Sequence, residues 1–388
     1  MKHAWRFSSL MLMWLALAAN PALADQGVSD DEVVIGSVSD LSGPFSAFGA
    51  PAVAAAQRHF DAVNAAGGIH GRNIRFVVED HAYQMPKAIQ AYNKLVNRDG
   101  VFAMVLSLGT PMNIAGFKLM EPGNIPNLIP LSASRHMLDE PIRLRFSVSS
   151  SYYEQMRLAT AYLARTLGIT RVCGMYIPSD FGKEMQEAAI DEAEANPALA
   201  YVTETSHKID EADFVGSLQK LAAEGCELIG VALSVRQVIT VMATAKKLGL
   251  SHLKMIGTSG SFHTVIAKVP GGVTEGLYAT GAWTDLAARA DQEAAAAFIA
   301  AHMEATGEFP GTGALLGHIG ATSLTRALEK AGRDLDVESF LAAVESLDYY
   351  DPLMDNHVTY TADDHQGADV TILSVIEDGN WKEVARLQ

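Results

Sequence analysis

Six short stretches concentrate Gly, Ser and Thr: Leu41-Ser42-Gly43-Pro44-Phe45-Ser46-Ala47-Phe48-Gly49, Leu108-Gly109-Thr110-Pro111, Leu131-Ser132-Ala133-Ser134-Arg135, Pro178-Ser179-Asp180-Phe181-Gly182, Leu233-Ser234-Val235-Arg236 and Thr258-Ser259-Gly260-Ser261-Phe262. Each offers backbone amides and hydroxyls where a helix would begin, and unsatisfied N–H groups at a helix N-terminus attract anions. One such stretch alone would be an ordinary helix cap. Six converging on one cleft make a site for a small carboxylate. Arg236, just past a strand and opening a helix, has the planar fork that pairs bidentately with that group. Arg135 and Arg145 compete for the role, and Arg145 suits a supporting position better.

Other chemistries lack their residues. There is no Gly-x-x-x-x-Gly-Lys-Ser/Thr and no Gly-x-Gly-x-x-Gly, so neither phosphate-cradling loop is present. Gly257-Thr258-Ser259-Gly260-Ser261 misses the hydrolase elbow by its last residue. His81, beside Glu79 and Asp80, reads as a polar neighbour of the cleft rather than a base or metal ligand. The expectation is a binding protein, with no catalytic residue, no metal and no cofactor.

The elements that must position these loops alternate along the chain. Val33–Val38 reads as a strand, and Pro51–Asn64 as a helix with Val53, Ala56, Phe60 and Val63 on one stripe. Pro51 suits a first turn and Gly67-Gly68 a stop. Strands at Ile74–Glu79, Val101–Leu106 and Asn127–Pro130 follow, separated by helices Pro86–Asn97 and Pro111–Met120. A second series runs from helix Tyr152–Thr166 through strands Arg171–Ile177, Tyr201–Glu204, Leu228–Leu233 and Lys254–Gly257. Helices Phe181–Ala195, Glu211–Ala223 and Val235–Leu248 lie between them. Such alternation predicts α/β architecture with two doubly wound parallel-sheet lobes. After strand Gly276–Gly281 come three helices and then strands near Val358–Tyr360 and Val370–Ile376, read as one hairpin. The chain would therefore cross between lobes three times, as a three-stranded hinge with the ligand cleft between. The implied divisions are 25–148 plus 283–350 for the first lobe and 149–282 plus 351–388 for the second.

The chain has 388 residues, 49% of them hydrophobic and 19% charged, with a net charge of −16. That is enough apolar material for two cores, and the acidity argues against nucleic acid and against anionic membrane surfaces. Two cysteines exclude a disulfide scaffold or a Cys-rich zinc module. Cys173 and Cys226 each begin a second-lobe strand and either pair in an oxidising compartment or remain buried thiols. At the start, Lys2, His3 and Arg6 precede an apolar run and then Ala22-Leu23-Ala24, the parts of a secretory signal peptide in 1–24. The run is shorter than the ~20 residues a membrane span needs. Cleavage after Ala24 would deliver a periplasmic protein.

Ile35-Gly36-Ser37-Val38-Ser39-Asp40-Leu41-Ser42-Gly43-Pro44 resembles the entry strand and loop of the Leu/Ile/Val-type periplasmic binding proteins. Pro51–Asn64, ending in Ala65-Ala66-Gly67-Gly68-Ile69-His70-Gly71-Arg72, resembles their next segment. Ile125-Pro126 before Pro130-Leu131-Ser132, Ser179-Asp180-Phe181-Gly182-Lys183 and Gly276-Leu277-Tyr278 also fit. The resemblance implies a monomeric receptor of the type I periplasmic binding fold that closes on its ligand and delivers it to the membrane permease of an ABC importer. It places ligand contacts at Thr110, Ser132, Ala133, Ser134 and Phe181, with Phe45 and Phe48 on a lid loop. Tyr152 and Tyr153 follow the first lobe crossing and Trp283 the second.

Two departures bear on the ligand. Amino-acid binders of the family hold the ammonium with a carboxylate where this chain aligns Ser259, and the family's second-lobe tyrosine is replaced around Ser234. A buried ammonium without a carboxylate partner would cost several kcal/mol. The expectation is an aromatic or apolar organic acid, with a branched-chain or other amino acid as the alternative. A periplasmic sensing subunit for a membrane kinase is the rival of a different class.

Overall fold

The computed structural model describes residues 26–388. The expected signal peptide and its cleavage after Ala24 lie outside the described residues.

Two separate sheets organise the chain. β1 (Glu32–Ser39) is buried along almost its whole length, as a central parallel strand rich in Val and Ile must be. It leads into α1 (Ser46–Ala65), β2 (Asn73–Asp80), α2 (Met85–Lys94), β3 (Ala103–Val105), α3 (Thr110–Met120), β4 (Asn127–Leu128) and β5 (Arg145–Phe146). These five strands form one all-parallel sheet in the order β2-β1-β3-β4-β5.

The second series runs α4 (Tyr152–Leu167), β6 (Arg171–Tyr176), α5 (Asp180–Ala195), β7 (Ala200–Ser206), α6 (Val215–Ala223), β8 (Leu228–Ala232) and α7 (Val235–Lys247). β9 (Lys254–Gly257), the short α8 (Thr264–Ala267) and β10 (Leu277–Gly281) complete it. Helices α9 (Glu293–Thr306), α10 (Thr312–Ala331) and α11 (Val337–Glu345) follow, then β11 (Asp348–Asp351), β12 (Asn356–Thr359), β13 (Thr371–Glu377) and β14 (Asn380–Leu387). The second sheet has the order β14-β13-β10-β9-β8-β6-β7. It is parallel from β10 to β7 and antiparallel at β13 and β14.

α10 returns to the first sheet and packs along α1. The contact is made at glycines: a Cβ on Gly317 would stand 2.0 Å from the carbonyl oxygen of Ala52. The two helix backbones approach as closely as they do because no side chain separates them there. The disulfide joins Cys173 of β6 to Cys226 just before β8, with Cα atoms 5.8 Å apart. The two strands are neighbours, so of the two readings left open by the sequence the structure has the bonded one.

Three segments cross between the sheets, at 147–151, 282–292 and 346–370, and they are tied side by side. Ser147 donates its N–H to His365 O at 3.0 Å, and Gly367 donates to Ser147 O at 2.8 Å. Asn356 Nδ2 bridges the carbonyls of Ala282 and Val370 at 3.0 Å each. The molecule is thus two doubly wound lobes on a three-stranded hinge.

Three expectations require correction. α1 begins at Ser46, so Pro51 lies inside the helix rather than in its first turn. Proline has no N–H, which leaves the Ala47 carbonyl without its helical donor; His263 Nε2 takes that place at 3.0 Å. The strands read at 101–106 and 127–130 are shorter, β3 and β4, because Leu106 (φ 58°) and Ile129 (φ 46°) turn into the left-handed region. Bulky residues rarely adopt that conformation, and it breaks the ladder. The final hairpin also differs. Val358 lies in β12, paired with β11, while β13 pairs with β14 across Asp378-Gly379, both with positive φ (54° and 69°). Asp-Gly between two strands is a strong hairpin signal, and it joins β13 to the strand that follows it rather than to β12, which lies farther away along the chain.

Candidate functional site

The six stretches rich in Gly, Ser and Thr lie at the carboxyl ends of parallel strands, where ligands of open α/β sheets bind. Between the lobes at this level is a cavity. Aromatic side chains dominate its wall: Phe45, Phe48, Tyr83, Tyr152, Phe181 and Trp283. Leu108, Ile129, Leu316 and Ile319 add apolar surface, and the polar groups are hydroxyls at Thr110, Ser132, Ser149 and Ser259. No Asp, Glu, Lys or Arg lines it.

Local hydrogen bonding explains how the lid loop presents its rings. Asp40 accepts the N–H groups of Gly43 at 2.6 Å and Phe45 at 2.8 Å, closing a turn that points Phe45 inward. Asp80 accepts from Leu41 N–H, Ala82 N–H and Ser42 Oγ at 3.0, 2.8 and 2.6 Å, tying the next loop to the first. Phe45 then lies 4.6 Å from Tyr83 and 5.8 Å, edge-on, from Phe181, while Tyr152 meets Phe181 edge-on at 5.2 Å. These are distances at which aromatic pairs attract.

The polar end of the cavity is built on α3 and the loop after β4. Thr110, the first residue of α3, shares a 2.8 Å hydrogen bond with the Ser132 hydroxyl, and both are buried. Gly109 (φ 100°) makes the turn that starts the helix there. Tyr152 N–H donates to the Ala133 carbonyl at 2.7 Å, joining α4 to the same loop. Burial pushes the Tyr152 phenol up to about 12, so it is a neutral donor at any physiological pH. Opposite, the Ser259 N–H is held at 2.8 Å by Gln155 Oε1, a fully buried amide.

Eight of the twelve residues expected at the site line the cavity: Phe45, Phe48, Thr110, Ser132, Ala133, Tyr152, Phe181 and Ser259. Four do not. Ser134 caps the turn after it and bonds Glu184. Tyr153 bonds Asp191 at 2.6 Å with its ring under Arg135. Ser234 caps α7 with Gln237. Arg236 is exposed on the first turn of α7, away from the cavity. Among the competing arginines, Arg135 pairs with Glu187 and Arg145 with Glu121, so both are engaged elsewhere. His81 is buried and neutral, accepting Tyr83 N–H on Nδ1 at 2.8 Å and donating from Nε2 to Leu108 O at 2.9 Å.

Tyr83 was not foreseen. It and Ala82 both have positive φ (55° and 47°), strain that orients its ring into the cavity wall. The strand-end rule that picked the other loops applies equally to Asp80–Tyr83, although this loop lacks their Gly and Ser. Ile129, Leu316 and Ile319 carry no signal, since an apolar residue facing a cavity and one facing a core look alike in sequence.

A family model described as periplasmic binding protein matches residues 32–380. The chain is 24% identical over 219 residues to an amino acid binding protein of Pseudomonas aeruginosa, a match taking in 56% of this chain and 58% of that one. Among solved structures, a fatty acid ABC transporter substrate-binding protein from Thermomonospora curvata superposes with a TM-score of 0.84 at 23% identity, over 94% of each chain. The solute-binding protein of an ABC transporter from R. palustris, in complex with benzoate, gives a TM-score of 0.78 at 17% identity, over 92% of this chain and 96% of that one. With two lobes, a three-stranded hinge and a cavity between them, and with the family match spanning nearly all the described residues, this chain belongs to the periplasmic binding protein family.

Proposed function

We propose that this protein is the periplasmic substrate-binding component of an ABC importer and that it carries a small carboxylate with an aromatic or apolar body. The observation that carries the ligand class is the cavity wall: six aromatic side chains, two of them phenols, four Ser and Thr hydroxyls and no ionised side chain. An α-amino acid brings an ammonium, and burying it without a carboxylate partner costs several kcal/mol. A carboxylate, by contrast, can be met by neutral donors. The hydroxyls of Thr110 and Ser132 and the amides at the start of α3 supply them, and the rings stack on the rest of the molecule.

Two of the structural relatives, named for a fatty acid and for benzoate, support this reading, while others, solved with valine or isoleucine, support the alternative. The Pseudomonas relative, named for amino acids, supports the alternative. Among the described residues no helix is long and apolar enough to cross a membrane, in keeping with a receptor that works beside a separate permease.

A thermal-shift screen of the purified protein with benzoate, octanoate and leucine separates the two. A ligand that binds only the folded state raises the midpoint by mass action, by about 2.7 kcal/mol of stability at a hundred times its Kd. Benzoate or octanoate should raise it and leucine should not. A rise with leucine alone would replace the proposed acid with an amino acid.

A further inference from the structure

We infer that Glu184 is the residue that couples ligand contact to closure of the lobes, an inference that rests on the two-lobed receptor reading above. Glu184 sits on α5, three residues after Phe181, and is 1% exposed. Its carboxylate accepts three hydrogen bonds. Two come from the first-lobe loop after β4, from the Ser134 hydroxyl and from Arg135 N–H at 2.8 Å. The third comes from Tyr153 N–H at the start of α4, at 3.2 Å.

Each of these three partners lies within two residues of a cavity residue. Ser134 and Arg135 follow Ser132 and Ala133, Tyr153 follows Tyr152, and Glu184 itself shares a helix with Phe181. One carboxylate therefore ties together three of the elements that line the cavity, and it does so from outside the cavity wall. It is a positioning residue.

The chemistry of the pairing gives it a direction. All three donors are neutral, because the Arg135 guanidinium is spent on Glu187 at 2.5 Å and on the Tyr153 ring at 4.5 Å. A buried carboxylate is tolerable only while its lone pairs are satisfied. Opening the lobes removes the Ser134 and Arg135 donors together and hands Glu184 back to water. The contact exists only in the closed form, and whatever holds the Ser132–Arg135 loop in place favours that form by the same linkage. Beside Glu184 the half-exposed Arg135–Glu187 ion pair also crosses the seam at 2.5 Å, and farther along the contacts are uncharged: Thr264 and Thr312 exchange backbone-to-hydroxyl bonds at 3.0 and 3.1 Å, and His263 meets Ala47 O at 3.0 Å. Glu184 is the buried charged acceptor among these contacts, whereas Glu187 is half-exposed and screened by water; hydrogen bonds to charged groups are the stronger class when shielded from solvent.

The test measures closure directly. Spin labels at exposed positions on the two lobes, introduced as Arg98→Cys and Lys247→Cys, report the short-distance population by pulsed EPR with and without benzoate. Glu184→Ala should lower the closed-to-open ratio by about tenfold or more in both conditions, and benzoate should leave correspondingly faster. Glu184→Gln keeps an oxygen for the two backbone donors and should recover most of the loss. Ser134→Ala removes a single donor and should shift the ratio in the same direction by less; it decides the matter if Glu184→Ala does not fold. Distance distributions for Glu184→Ala and Ser134→Ala that match the unmodified protein would overturn the inference. If benzoate binds no form of the protein, the proposed ligand class loses its support, while the ligand-free distances still decide the role of Glu184.

Discussion

Ser259 and Arg236 show how differently two residues read from the same kind of loop can behave. Both were expected to face a ligand. Ser259 does line the cavity, at the position where the resemblance places an acid in amino-acid binders. Replacing it with Asp would bury a carboxylate facing another carboxylate. Binding of benzoate should then fall by about tenfold or more, measured by calorimetric titration. A gain in leucine binding by the same variant would mark the position as the switch between the two ligand classes. Arg236 is exposed and outside the cavity. Arg236→Ala should leave the affinity within about twofold, as surface substitutions do; a tenfold loss would return the guanidinium to the site.

At the scale of elements, the closeness of α1 and α10 carries the first lobe, and it rests on glycine. Two effects oppose each other when Gly317 becomes Ala. Helix propensity favours alanine by about 1 kcal/mol. The new Cβ, 2.0 Å from the Ala52 carbonyl oxygen, meets backbone that cannot rotate away. Forced overpacking costs about 1–3 kcal/mol, so the clash wins. Gly317→Ala should lower the urea midpoint. Gly216, near the start of α6, has nothing within 4 Å of an added Cβ, and Gly216→Ala should leave the midpoint level or raise it. Equal effects at the two sites would mean that the α1–α10 contact relaxes freely.

For the whole molecule, the seam between lobes sets a dependence on pH. His263 is 2% exposed, accepts Val265 N–H on Nδ1 at 3.0 Å and donates from Nε2 to Ala47 O. Burial lowers its pKa to about 4. The folded pKa is below the unfolded one, ordinarily near 6.5. Between these values the unfolded chain binds the extra proton, so the stability contributed by neutral His263 is present above about 6.5 and is lost as pH falls toward about 4. His263→Gln lacks that titration. Its stability deficit against the unmodified protein should be largest at pH 7 and shrink toward pH 4 in paired thermal melts. A deficit constant with pH would mean that His263 does not titrate on unfolding. Burial raises the pKa of Glu184 and Asp285, which act in the opposite sense. The comparison between variants removes their contribution, because both proteins carry them.

The chain's own pattern determined the two-lobed α/β plan, because alternating Val/Ile runs and amphipathic helices are local signals that survive without neighbours. It also determined which loops meet, since the carboxyl ends of parallel strands share one edge whatever their order. The tertiary structure alone decided the wall of the cavity. Ile129, Leu316 and Ile319 come from distant elements, and only their placement separates a lining residue from a core one. It decided that Pro51 frees a carbonyl for His263, which lies in the other lobe and more than two hundred residues away. It decided, too, that the polar role expected of Arg236 has no counterpart in the cavity, whereas a buried glutamate on a helix face, Glu184, ties the lobes. A hydrogen bond between lobes depends on how two folded bodies meet, and no local periodicity records that meeting.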